Sequence, residues 1–179
     1  MKHRLFIGLR LPHPIVQQLL GMMGGIEGAR WQSAEQLHLT SLFLGSCDHH
    51  QAEDVAHYLL DVHVPPFSLA LDGLGHFGKA GHLDSLWAGV RPHEPLHLLH
   101  QKLHSRLRPL KLDIPKRAYM PHITLARFNR FAGDIAPFLV SHAALSSAPF
   151  EVDAFYLFES HLTQAGAYYE SIARYSLAG

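Results

Sequence analysis

Cysteine is almost missing from this chain: Cys47 is the only one in 179 residues. No intramolecular disulfide can form, which fits a reducing cytoplasm. Cys47 has no neighbour that would activate a thiolate, so it reads as a structural or surface thiol. Charge is also scarce. Charged residues make up 17% of the chain, and 15 basic residues balance 15 acidic ones for a net charge of zero. That balance argues against a broad basic surface for long nucleic acid, and leaves room for a small phosphorylated ligand or an RNA end. Long hydrophobic runs are lacking too. The N-terminal apolar stretch is broken by Gly8, Arg10, Pro12 and Pro14, so no signal peptide is expected, and no later stretch is long enough to span a bilayer. There is no low-complexity segment and no flexible linker. A single unit spanning residues 1–179 is therefore expected.

Histidine, by contrast, is abundant, with 16 in the chain. His97, His100 and His104 share one face of an expected helix but carry no metal-ligand signature, and His49-His50 reads as a solvated loop pair. Two other histidines stand in matching frames. Leu37-His38-Leu39-Thr40 and Pro121-His122-Ile123-Thr124 each run into further apolar residues. Both read as strands, because Leu, Ile and Thr suit a half-buried pleated surface. Side chains alternate across a strand, so His38 and Thr40 share one face while Leu37 and Leu39 point into a core. The same parity pairs His122 with Thr124. One His-x-Thr occurs by chance; two copies separated by nearly half the chain suggest two similar halves contributing to one site.

Taken in order, strands are expected at Arg4–Arg10, at Leu37–Gly45 with Arg30-Trp31 leading in, at Phe67–Asp72, at Ser85–Val90, at the second motif, and at Glu151–His161 and Tyr168–Leu177. Gly73, Gly75, Gly78 and Gly81 mark a loop or hairpin. Helices are expected from Pro12-Pro14 to about Met23, from Gln51 to Asp61 behind an Asp48 cap, from Pro95 onward, and over about Asp134–Ala144. The third is the clearest, with Leu96, Leu99, Leu103, Leu107 and Leu110 on one stripe. This order predicts an α+β fold of two pseudo-symmetric lobes, approximately residues 1–84 and 85–179, with exchange of the termini between lobes allowed. Each lobe would be a mainly antiparallel sheet with helices on its outer face, around a central cleft.

These segments resemble the 2H phosphoesterase superfamily, and within it the bacterial and archaeal RNA 2′,3′-cyclic phosphodiesterases, also called 2′-5′ RNA ligases. The likeness runs through RLFIGL, RW, QLHLTSLFLG, SLWAGV, PHITLAR and the YYESIARYSL tail. It departs at Ser41-Leu42, where the family often has Leu-Arg, and at Ser171, where Pro is usual. The resemblance implies hydrolysis of a 2′,3′-cyclic phosphate to a 2′-phosphate, with reverse 2′-5′ ligation as a further possibility. It implies His38 as proton donor to the leaving oxygen and His122 as proton acceptor from water.

The chemistry matches the residue types. In-line displacement at phosphorus needs a base and an acid on opposite sides, and imidazole serves for both. Hydroxyls on Thr40 and Thr124 can donate to the nonbridging oxygens. No metal or cofactor is required. Arg127 is a candidate phosphate ligand, but strict alternation puts it on the face opposite His122, so it reaches the site only if the strand bends or ends first; otherwise it is a solvated charge. Tyr119 would either stack on a base or pack. Eight of the 15 basic residues lie between Lys102 and Arg130, with Asp113 the only acid among them. That stretch is either a solvated face or a landing surface for an RNA end. The expected partner is an RNA or oligonucleotide end bearing a 2′,3′-cyclic phosphate, and the expected protein is a cytoplasmic monomer. The alternatives are a 2H phosphodiesterase for a small cyclic nucleotide or 2′-5′ oligonucleotide, and a nucleotide-binding module without catalysis.

Overall fold

The computed structural model describes all 179 residues. Strand β1 (His3–Arg10) leads into helix α1 (His13–Met22), the short β2 (Arg30–Trp31) and β3 (His38–Cys47). Helix α2 (His49–Tyr58) follows, then β4 (Phe67–Lys79), β5 (His82–Arg91) and α3 (Glu94–Leu107). The chain closes with β6 (Ile123–Arg127), α4 (Ala136–Ser141), β7 (Phe150–Val152), β8 (Ala154–Thr163) and β9 (Gly166–Ser176). Asp48 caps α2 as expected: its carboxylate accepts from the Gln51 backbone and the Gln51 side chain returns the bond, a reciprocal capping box. No helix is long and apolar enough to cross a membrane.

The strands form two antiparallel sheets. One has the order β3-β1-β8-β9, the other β2-β6-β5-β4-β7. Neither sheet comes from one half of the chain. β4, from the first half, joins β5, and β8 returns to pair with β1, carrying β9 on its outer side. Residues 1–84 and 85–179 thus do not each build one sheet: β2 and β4 of the first half, as well as the C-terminal pair β8 and β9, lie in the other half's sheet. The physical reason is adjacency. The β4–β5 and β8–β9 hairpins are joined by short turns, and such turns make sequential antiparallel strands pair wherever the repeat boundary falls.

Of the loop or hairpin expected at Gly73–Gly81, the structure has the hairpin: β4 runs through Gly73, Gly75 and Gly78, and the turn to β5 lies at its far end. Gly73 sits at φ +71° where the β4–β5 register slips. It therefore marks a bulge inside a strand, which glycine permits without strain.

One face of each sheet feeds a common core of 30 buried residues. Leu5, Ile7, Leu39 and Leu157 come from the first sheet, Leu71, Val90, Ile123 and Leu125 from the second. Leu96, Leu99, Leu103 and Leu107 of α3 are fully buried against them, and each buried leucine contributes roughly 1.5–3 kcal/mol. Cys47 is also fully buried, so it is a packing residue. The other faces of the sheets turn toward the expected cleft, where His122 is near enough for its charge to act on His38. β3 and β6, the two motif strands, approach each other where the sheets meet.

Candidate active site

The parity read from the sequence holds in both motifs. Leu37, Leu39, Ile123 and Leu125 are buried, while His38, Thr40, His122 and Thr124 are half-buried on the cleft side. The two imidazoles are anchored alike. Nδ1 of His38 lies 2.7 Å from the Gln36 carbonyl, and Nδ1 of His122 lies 2.7 Å from the Met120 carbonyl. A carbonyl only accepts, so Nδ1 carries the proton in each ring and Nε2 is the working atom. In His38, Nε2 is 2.9 Å from the Thr40 hydroxyl, which donates to it in the neutral ring. Gln36 is itself tied down, its side-chain amide donating to the Ala167 carbonyl at 2.7 Å.

Both motif strands carry a bulge immediately after the threonine. Gly8 faces Thr40 and Ile7 faces Leu42, leaving Ser41 without a partner. Trp87 faces Thr124 and Leu86 faces Ala126, leaving Leu125 without one. A bulge adds a residue and shifts the alternation by one step. Ala126 is accordingly buried in a small cluster with Ile26, Leu86, Phe128 and Phe138, and Arg127 turns to the same side as His122 and Thr124. This is the bend that Arg127 required. Its guanidinium is close enough to depress the proton affinity of both histidines.

β3 is an edge strand, so its outward carbonyls need partners beyond the sheet. The Ser41 carbonyl accepts from Nδ1 of His100 at 2.7 Å, and the Thr40 carbonyl accepts from the Tyr119 hydroxyl at 3.0 Å. The Leu125 carbonyl accepts from the Gln32 amide at 2.8 Å. Tyr119 is therefore committed to packing. Its ring stacks on His100 at 4.3 Å, it lies against the main core, and burial pushes its phenol pKa up. Of the two readings of Tyr119, stacking on a base or packing, the structure has packing. His100 is likewise a strand anchor, and His97 meets the edge of Tyr119 at 5.4 Å.

Electrostatics favour neutral imidazoles in the free protein. Burial drives His38 down to about 4, with the positive charges of Arg127 and His122 acting in the same direction and the Gln36 hydrogen bond opposing. Burial also lowers His122, aided by Arg127 and Arg117 and opposed by the Met120 bond. Part of the basic stretch thus serves the cleft. Arg106 instead pairs with Asp61 and lies over Tyr58.

Several wall residues escaped the sequence reading. Phe6 and Tyr169 lie 4.9 and 5.0 Å from His38, and Phe77 and Trp87 lie 4.9 and 5.9 Å from His122. Phe6 stacks on Phe158 at 5.0 Å. Arg10, directly across from His38 in the β1–β3 register, holds its guanidinium 4.7 Å from the Tyr156 ring. A Cβ built on Gly75 would fall inside the Trp87 indole, so the missing side chain is what lets that ring lie flat. The signal in the sequence was only alternation within RLFIGLR and SLWAGV; which strands sit beside the motifs is a tertiary fact.

Two antiparallel sheets, each offering an imidazole and a threonine hydroxyl to a shared cleft, define the two-histidine class of α+β phosphoesterases. A model of the 2′-5′ RNA ligase superfamily matches residues 27–164. The chain belongs to that superfamily. It is 27% identical over 172 residues to an RNA 2′,3′-cyclic phosphodiesterase of Archaeoglobus fulgidus, covering 94% of this chain and 97% of the relative. It is 29% identical to one from Thermotoga maritima over 80% of this chain and 76% of that one. The fold superposes on Escherichia coli LigT complexed with 3′-AMP with a TM-score of 0.82 at 24% identity, covering all of both chains.

Proposed function

We propose that this protein hydrolyses RNA 2′,3′-cyclic phosphodiester ends to 2′-phosphomonoesters by two-histidine acid/base catalysis without a metal, and that the same site can run the reverse 2′-5′ ligation. The observation that carries the reading is the matched pair of imidazoles, each with Nδ1 locked to a carbonyl two residues back, which leaves Nε2 as the atom for proton transfer, in His38 next to the Thr40 hydroxyl. In the hydrolytic direction, His122 takes a proton from the attacking water through Nε2. The P–O3′ bond breaks, and His38 gives a proton to the departing oxygen. Thr40, Thr124 and Arg127 hold the nonbridging oxygens, and their dipoles and charge oppose the negative charge that develops there. Since His38 is the weaker base in the free protein, its imidazolium forms with the anionic diester beside it. The substrate's charge raises both histidines toward their working range. We assign the protein to the cytoplasm as a monomer.

The test is product analysis after incubation with an RNA oligomer ending in a 2′,3′-cyclic phosphate, run beside a cyclic mononucleotide. A 2′-phosphate end formed faster on the oligomer is expected. A 3′-phosphate, or turnover of the mononucleotide alone, would replace this reading with another phosphodiesterase. Dialysis against a chelator is expected to leave the rate unchanged, and loss of activity restored by zinc or manganese would end the metal-free scheme.

Arg127→Ala gives a prediction with a definite sign. Arg127 lowers both histidines, so its removal raises both. In the wild type the optimum of kcat/KM is expected below about pH 6.5, the unperturbed histidine value. In the variant the whole bell should move to higher pH and lose height. An unshifted profile at full rate would return Arg127 to the solvent.

A further inference from the structure

On the opposite side of the first sheet, a second set of histidines and carboxylates converges. Phe158 faces the cleft beside Phe6 and His38, so its neighbour Glu159 points away from it. There the ligand-type atoms of Glu159 and His161 on β8 and Glu170 on β9 lie within 4.8 Å of one another. Nε2 of His161 is 3.0 Å from Oε2 of Glu170 and 3.9 Å from Oε2 of Glu159. The remaining oxygen of Glu159, Oε1, is held by Nδ1 of His3 on β1 at 2.8 Å. Glu159 is the least exposed of the set, at 15%.

We propose that Glu159, His161 and Glu170 form a binding site for a divalent transition-metal ion, zinc being the best fit, that staples β1, β8 and β9 behind the catalytic sheet. Ligands at about 2.0–2.2 Å from a tetrahedral zinc stand about 3.3–3.6 Å apart, so the spacings here need only small side-chain rotations. Two carboxylates and one imidazole neutralise the ion's charge and leave a fourth position for water. The imidazole selects zinc over magnesium or calcium, which prefer all-oxygen sites. His3 acts on Glu159 as outer partners of metal ligands do, fixing the carboxylate so that Oε2 faces the ion. Tyr168, stacked on His161 at 5.8 Å, covers one side of the ring. The ion lies on the far side of the sheet from the reacting phosphate, so its effect is on the stability of the hairpin and not on proton transfer.

The experiment titrates zinc chloride into the chelator-treated full chain by calorimetry and follows thermal unfolding in parallel. One saturable site is expected, with a midpoint that rises with zinc and does not move with magnesium. Glu159→Gln combined with Glu170→Gln should weaken binding at least tenfold, and His161→Gln should do the same with both carboxylates intact. His97→Asn with His104→Asn, on α3, should bind as wild type. Absence of saturable binding would overturn the site. So would full binding in the carboxylate and His161 variants, or loss of binding in the α3 variant alone.

Discussion

His122→Ala is expected to abolish most turnover, by about 10²- to 10⁴-fold for a lost acid/base group, and His38→Ala to do the same. Each imidazole is held by a carbonyl at 2.7 Å and aims a single nitrogen into the cleft, so no neighbouring group can take over its proton. The two act in one displacement. The double variant should therefore lose little more than either single one, because a step already lacking its base gains nothing from its acid. The pH dependence separates the roles. As the base, His122 must be neutral, so its loss should flatten the acidic limb; as the acid, His38 must be protonated, so its loss should flatten the alkaline limb. The limbs belong to the coupled pair, and single-variant profiles assign them. Because burial lowers both histidines, kcat/KM should peak at lower pH than kcat, whose limbs report the complex with the diester anion bound. A variant with near-full activity, or a flat wild-type profile, would remove the two-histidine mechanism.

The second large effect is expected from Thr40→Ala with Thr124→Ala. A donor aimed at developing negative charge is worth about 2.7–4 kcal/mol, or about 10²- to 10³-fold in kcat. Thr40 has a double duty, since its hydroxyl also donates to Nε2 of His38 in the resting protein. Thr40→Ala should consequently shift the pH profile as well as lower it, while Thr124→Ala should lower it alone. Neither hydroxyl belongs to the core, so thermal stability should fall by less than about 1 kcal/mol. Thr→Ser should restore most of the rate, because it keeps the donor. Wild-type turnover in a folded double variant would make these hydroxyls structural.

What could be read from the sequence alone is what depends on local spacing. Strand parity placed His38 and Thr40 together, and His122 and Thr124 together, because a pleated strand has period two whatever it packs against. The same is true of the α3 leucine stripe, set by the 3.6-residue helical repeat, and of the Asp48 cap, which is satisfied within four residues. The two equivalent motifs suggested two histidines in one site, and the family resemblance added weight to that suggestion. Tertiary structure decided the rest. The placement of β2 beside β6 and of β8 beside β1 depends on pairing partners far apart in the chain. The bulges at Ser41 and Leu125 are seen only against the neighbouring strand, since an extra residue is defined by what stands opposite it. Those bulges turn Arg127 toward the histidines, while the order of the strands decides that Tyr119 and His100 hold carbonyls of the edge strand β3 and that Arg10, Phe6 and Trp87 form the walls. Local chemistry chose the reacting groups; the long-range register of the sheets chose their surroundings, and with them the proton affinities on which the reaction depends.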